Sequence, residues 1–270
     1  MASLVGLKYR FDMDIVCPVS TLLGYWKLKK ISIKNDIPQW HTSFHLRKVL
    51  IVGTGPSLDK VENDYFSKFD TIVYINHAIK LAGLSADEYF FSTDINAIKR
   101  IKDKEYCKKL LKLERNRLII APIHFNSILS LRRNFISNFS FIAASKPMYK
   151  KVLLIKTIFG FSYSRFIYWP EQPNIKRLES WFSKFDQVLY FPVIESTSAL
   201  SAILFAAKYC PQSITLIGCD FSESRSKLII NEQPARDINP FSESKKKFLF
   251  LQRFLKEKGI KVENSSWYVE

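Results

Sequence analysis

Lys48–Gly53 reads KVLIVG, an apolar run without polar alternation, entered from basic residues and closed by glycine. A strand that is hydrophobic at successive positions must be covered on both faces, and that is the mark of a parallel sheet carrying helices on either side. Similar runs recur: Thr71–Asn76 (TIVYIN), Tyr89–Thr93 (YFFST), Arg117–Ala121 (RLIIA), Gln187–Phe191 (QVLYF), Ser213–Gly218 (SITLIG) and Ile260–Ser265. Helical patterns lie between them. Leu58–Phe69 has Ser57 as its N-cap, Ile95–Leu113 is basic and amphipathic, Ser198–Tyr209 is apolar, and Ser242–Gly259 is closed by Gly259. The alternation predicts an α/β fold: a single Rossmann-like, doubly wound sheet over residues 47–270. Residues 1–46 read as an irregular extension packed on that domain. Residues 125–186, rich in Ser, Asn, Lys and aromatics, read as an inserted lid region that carries acceptor contacts.

With 270 residues, 47% of them hydrophobic and 24% charged, the chain has the length and apolar content for one full-sized core. No apolar run reaches about 18 residues, so no membrane span is expected. Met1–Tyr9 carries only a short apolar patch, which predicts a cytoplasmic location rather than secretion. The four cysteines (Cys17, Cys107, Cys210 and Cys219) lie far apart and show no metal-ligand spacing; they read as buried thiols. Lys and Arg outnumber Asp and Glu by 41 to 25, a net charge of +16. Such a balance asks for a polyanionic partner: nucleic acid, an anionic membrane face or an acidic glycolipid. No zinc finger, RRM signature or basic zipper is present, which argues against nucleic acid.

Gly53-Thr54-Gly55-Pro56-Ser57-Leu58 follows the first strand and opens a helix. Two glycines let the backbone approach a ligand, and a helix N-terminus offers N–H groups to an anion. The same residues also suit a tight strand-to-helix turn with Pro56 at the first helical position. Asn76 and Asp94 end the second and third strands, where ligands of such sheets bind. Glu195-Ser196-Thr197-Ser198 precedes the small-residue helix and reads either as a phosphate or carboxylate site or as an N-cap. Gly218-Cys219-Asp220-Phe221 ends another strand, with Asp220 suited to a ribose or a base edge. Arg225, Lys227 and Arg236 follow it, where cations would neutralise a leaving phosphate.

GTGPSL, the Asn after the second strand, Thr197-Ser198-Ala199 before an apolar helix, and GCDF twenty residues later resemble the motif order of the bacterial lipooligosaccharide sialyltransferases. The chain is also similar to the lipopolysaccharide-core Kdo transferases, through Ser92-Thr93-Asp94, the small-residue helix, the strand into Asp220, and Ala235-Arg236-Asp237. The likeness covers roughly residues 47–265, in islands. It implies a GT-A-like, sialyltransferase-type fold, a CMP-sugar donor, a metal-independent reaction without cofactor, and an acidic glycolipid or polysaccharide acceptor met at the inner face of the cytoplasmic membrane. Carried over, Gly53–Ser57 and Asn76 would hold nucleotide and phosphate, Thr197 and Ser198 would face the phosphate or the donor carboxylate, and Gly218, Cys219 and Asp220 would line the cytidine pocket. The chain departs from the sialyltransferases in having no histidine after His124 and no tyrosine between Phe221 and Trp267. The catalytic candidates are therefore Asp94, as base or nucleophile, and His124, as base. That departure favours Kdo over sialic acid. GxGPSL also occurs in a pterin-diphosphokinase-like family, so a diphosphokinase or a non-catalytic nucleotide binder are the alternatives.

Overall fold

A computed structural model describes residues 37–83, 87–93, 113, 117–120, 140–141, 197–222, 226–228 and 241–268. Among the described residues, seven strands form one sheet: β1 (Lys48–Val52), β2 (Thr71–Ile75), β3 (Glu88–Ser92), β4 (Leu118–Ile120), β5 (Ser140–Phe141), β6 (Ser213–Ile217) and β7 (Lys261–Asn264). Their order is β5-β4-β3-β2-β1-β6-β7, and every pairing is parallel. From β1 the chain winds outward through β2 to β5, then returns to the other side of β1 with β6 and β7. The direction of winding therefore reverses between β1 and β6. β2 and β3 are buried at every position and β1 at all but Lys48, as their unbroken apolar runs require. The edge strand β7 alternates exposed and buried, and Lys261 and Glu263 pair on its open side at 2.8 Å. These observations establish an α/β fold with a parallel sheet.

Helix α1 (Ile37–Phe44) corrects part of the sequence reading, because the segment before β1 is regular here and belongs to the core. Pro38 falls in the first turn, where its missing N–H costs nothing. Trp40 and Phe44 are fully buried. Their rings meet Phe205 edge-on at 5.3 and 5.5 Å, and Phe44 also lies 5.0 Å from Tyr89. The end of α1 is fixed to the sheet: the Thr71 hydroxyl donates to the Ser43 carbonyl, and Tyr89 Oη donates to Ser43 Oγ at 2.7 Å.

The segment after β1 also departs from expectation. In place of one helix over 58–69, a 3₁₀ turn (Pro56–Lys60) and a single α-turn, α2 (Asn63–Phe66), are separated at Val61 and Glu62. Helix α3 (Ser198–Ala207) is buried along its whole length; its small and apolar residues lie against β1, β2, β3 and β6. Helix α4 (Phe241–Glu257) packs on α3 and β7. Gly259, at φ +78°, ends α4 with two bonds: Ile260 N–H to Leu255 O at 2.9 Å and Gly259 N–H to Lys256 O at 3.0 Å. That is the closure predicted at this glycine. The short strand β5 falls within the stretch read as a lid. The helix expected over 95–113, apart from Leu113, and the strand expected over 187–191 lie outside the described residues. Among those described, no helix is long and apolar enough to cross a membrane.

Candidate functional site

The turns after β1 and β6 meet where the winding reverses, and they pack backbone against backbone. Gly53 N–H donates to Ile217 O at 2.8 Å, and Gly55 N–H to Gly218 O at 2.7 Å. A Cβ on Gly53 would sit 2.3 Å from Gly218 O, and one on Gly55 1.9 Å from Asp220 Oδ2. Gly218 adopts φ +66°, and a Cβ there would lie 2.8 Å from Gly53 O. The glycines of the two motifs are thus explained by each other: each is small because the opposite turn occupies its side-chain space.

Ser57 joins the turns. Its Oγ donates to Asp220 Oδ2 at 2.9 Å and accepts from Gly218 N–H at 3.0 Å, while its own N–H faces the same carboxylate at 3.3 and 3.4 Å. Ser57 is therefore not an N-cap. It sits inside the 3₁₀ turn, whose cap is Gly55 and which has no side-chain cap bond. Asp220 supplies the anion at this turn, the charge that the sequence reading assigned to a ligand phosphate. Burial pushes its carboxyl above the usual range, against the Ser57 bonds that favour ionisation. Cys219 is buried, and desolvation, with Asp220 beside it, raises its thiol far above ordinary values; it is a packing residue and not a nucleophile.

Several residues that hold these turns were missed from sequence. Asn264 Nδ2 donates to Cys219 O at 2.9 Å, and Cys219 N–H donates to Ser266 Oγ at 2.9 Å. Ser226 N–H donates to Thr54 O at 2.9 Å, and Asp59 accepts from the Ser226 hydroxyl and from Lys227 N–H. Residues 226–228 are thereby strapped across the first turn. The signal for Asn264 and Ser266 was present: small polar residues at a strand end in an otherwise apolar pattern.

A second polar group lies at the ends of β2 and β3. Asn76 adopts φ +50°, a left-handed conformation that asparagine tolerates better than most residues. Its Oδ1 accepts from Ser92 Oγ at 2.6 Å, and its Nδ2 lies 3.5 Å from Ser198 Oγ. Ser198 Oγ also meets Thr93 Oγ1 at 2.7 Å and accepts from Thr93 N–H at 3.3 Å. Thr197 caps α3, its Oγ1 accepting from Ala199 N–H at 3.0 Å. Ser92, Thr93 and Ser198 are buried, whereas Asn76 and Thr197 are partly exposed. Since β1 and β2 are neighbours, with Val52 opposite Tyr74, this group stands one strand spacing (about 5 Å) from the first turn.

The structure thus gathers Gly53, Gly55, Ser57, Gly218, Cys219 and Asp220 in one cluster and Asn76 and Ser198 in its neighbour. Thr93 joins the second, although the sequence reading gave it no role of its own. Thr54 and Pro56 lie within the first turn. Asp94, His124 and Arg236 lie outside the described residues. Comparison with known proteins places the chain in no family: no family model, curated protein or solved structure matches it significantly.

Proposed function

We propose that the chain is a glycosyltransferase that moves an acidic keto-sugar from its CMP donor, Kdo in preference to sialic acid, to a lipopolysaccharide, lipooligosaccharide or capsule acceptor. The observation that carries this reading is the meeting of Asn76, Thr93 and Ser198 beside the paired turns of β1 and β6. Sheets whose winding reverses bind ligands in the crevice beyond their strand ends at that point. The N-terminus of α3 brings the positive end of a helix dipole to the Asn76 group, and that suits the donor's phosphate or carboxylate. The Asp220 carboxylate has the opposite preference. It repels a phosphate and accepts from a hydroxyl, so the ribose of the donor belongs on its side.

In this reading the sheet is of the Rossmann-like, GT-A-like type, and residues 125–186 form the acceptor lid. Asp94 follows Thr93 directly and acts on the acceptor hydroxyl or the anomeric carbon, with His124 as the other candidate. Arg236 neutralises the departing CMP. No metal takes part, and the protein works at the inner face of the cytoplasmic membrane.

The test is a thermal-shift comparison of CMP, UDP, GDP and ATP with magnesium. CMP at 100 times its Kd should add roughly 2.7 kcal/mol of stability, and UDP should add none. A larger shift with ATP and magnesium would replace this reading with a diphosphokinase. CMP binding without transfer from CMP-Kdo or CMP-sialic acid would replace it with a non-catalytic nucleotide binder.

A further inference from the structure

Helix α4 buries one side and leaves the other to solvent. Ser244, Phe248, Leu251, Phe254 and Leu255 face the core. At 100° per residue, the exposed Lys245, Lys256, Arg253 and Lys246 fall within an arc of about 100° on the opposite side. Among the residues of the helix whose side chains are described, 244–257, Glu257 is the only exposed carboxylate. Ion pairs elsewhere in the described residues join Arg117 to Asp87 and Lys261 to Glu263, and neither involves the four cations of this arc. Of these cations only Arg253 and Lys256 are spaced as neighbours on the helix surface, and Glu257 follows Arg253 by one turn, so the face carries little strain of its own. Four cations against one carboxylate at the edge of the arc make it complementary to an anionic surface.

The side chains between those cations say which kind of surface. Leu249 falls inside the arc and Phe250 about 40° beyond its edge, and both are half-buried against the core. Lys245 Nζ sits 5.1 Å over the Trp267 ring, and the adjoining Tyr268 is 79% exposed. Cations interleaved with apolar side chains, with Trp and Tyr beside them, suit the boundary between lipid headgroups and acyl chains. A phosphodiester backbone would attract the same cations, but the apolar Leu249 among them gains nothing against it, whereas it suits the headgroup boundary of a bilayer.

We propose that the outer face of α4, carrying Lys245, Lys246, Arg253 and Lys256, is the surface by which this protein docks on an anionic lipid bilayer. The proposal names the surface for the membrane partner in the reading above. Its readout needs no donor, so either reading can fail alone. The experiment is flotation of the full chain with phosphatidylcholine vesicles, with and without phosphatidylglycerol. Each cation near such a surface raises partition about fivefold, so Lys246→Gln, Arg253→Gln and Lys256→Gln together should lower partition onto the anionic vesicles by about 10²-fold. All three positions are exposed, and circular dichroism and melting should not change. A second triple variant removes equal charge at exposed positions outside α4: Arg47→Gln, Lys48→Gln and Lys68→Gln. It should keep nearly all binding. Equal losses in the two variants would reduce the effect to net charge and overturn the proposal. So would equal binding to vesicles without phosphatidylglycerol, or binding of an RNA homopolymer through these cations with no binding of vesicles.

Discussion

Alanine at position 55 tests whether the two turns exclude side chains or merely lack them. Gly55 has φ −77° and ψ 165°, a conformation any residue adopts, so backbone strain predicts no cost. Without a steric obstacle, Gly→Ala at such a site would stabilise by about 0.4–1 kcal/mol through the unfolded state. The obstacle is Asp220, whose Oδ2 lies 1.9 Å from the added Cβ. The carboxylate would have to swing away and give up its bonds to Ser57 Oγ and N–H. Asp220 is half-exposed, so about 1 kcal/mol is a fair figure for each bond. With overpacking against Gly218 O at 2.9 Å, the total comes to about 2–4 kcal/mol. Urea denaturation of wild type, Gly55→Ala, Asp220→Ala and the double variant closes the cycle. In the Asp220→Ala background, Gly55→Ala should cost less than about 1 kcal/mol. An equal cost in both backgrounds would refute the steric account. Gly53→Ala is the contrast: it meets the backbone oxygen of Gly218 at 2.3 Å, and truncating Asp220 should not relieve it.

Two further outcomes follow from other buried or strapped carboxylates. Glu88 is buried and accepts from Tyr74 Oη at 2.8 Å and from Gly83 N–H at 2.8 and 2.9 Å; Glu88→Ala should therefore cost at least about 2 kcal/mol in urea denaturation, and a loss under about 0.5 kcal/mol would show that loop 76–83 does not depend on it. The pH dependence should differ in sign between Asp59 and Asp220. Asp59 loses some affinity for its charge through burial, but bonds from Lys227 N–H, the Ser226 hydroxyl and Leu228 N–H outweigh this and hold its carboxyl below the usual range. Its contribution is present above the unfolded value and lost as pH falls through the folded one, so Asp59→Asn should make the acid loss of stability shallower. Asp220 is shifted upward, and its contribution is present below the unfolded value and lost as pH rises through the folded one. Asp220→Asn should make the acid loss steeper, and urea midpoints from about pH 6 to about pH 3 read both slopes.

The sheet was legible because burial on both faces imposes unbroken apolar runs, and β1, β2, β3 and β6 fall within a residue of the expected spans. Gly259 was legible for a local reason, since only a left-handed residue closes α4 as it does. The elements that misled were those decided by tertiary contact. IPQWHTSF carries proline and β-branched or hydroxyl residues, so propensity hid α1; Trp40 and Phe44 stabilise it by packing on Phe205. Leu58–Phe69 has helical spacing, yet Ser57 and Asp59 are tied to Asp220 and to residues 226–228, and the chain breaks at Val61. At the site, the strand-end residues were found because small and polar types interrupt apolar runs. Their roles are not legible in the same way, since a GxG turn that receives a phosphate and one that receives a neighbouring turn use the same residues.

The two halves of the candidate site are built differently, and the difference bears on where a ligand contacts the protein. The turns of β1 and β6 are held on several sides at once: Ser57 and Asp220 bind each other, Asn264 and Ser266 hold Cys219, and Ser226 covers Thr54. A ligand that displaced any of these bonds would expose a buried donor or acceptor at a cost of about 1–3 kcal/mol, so the turns serve better as a fixed wall than as an adaptable cradle. The Asn76 group is made of hydroxyls and one amide, which reorient without leaving a buried charge, and Asn76 is partly open. The wall is also continuous with the proposed docking face. Helix α4 runs through the closure at Gly259 into β7, and β7 ends at the Asn264 that donates to Cys219 O. No described loop of more than a few residues intervenes between the cations of α4 and the turn that carries Asp220. A bilayer contact through α4 would therefore fix the direction in which the crevice at β1 and β6 faces, and an acceptor anchored in the same bilayer would meet the site at a set height rather than by free tumbling.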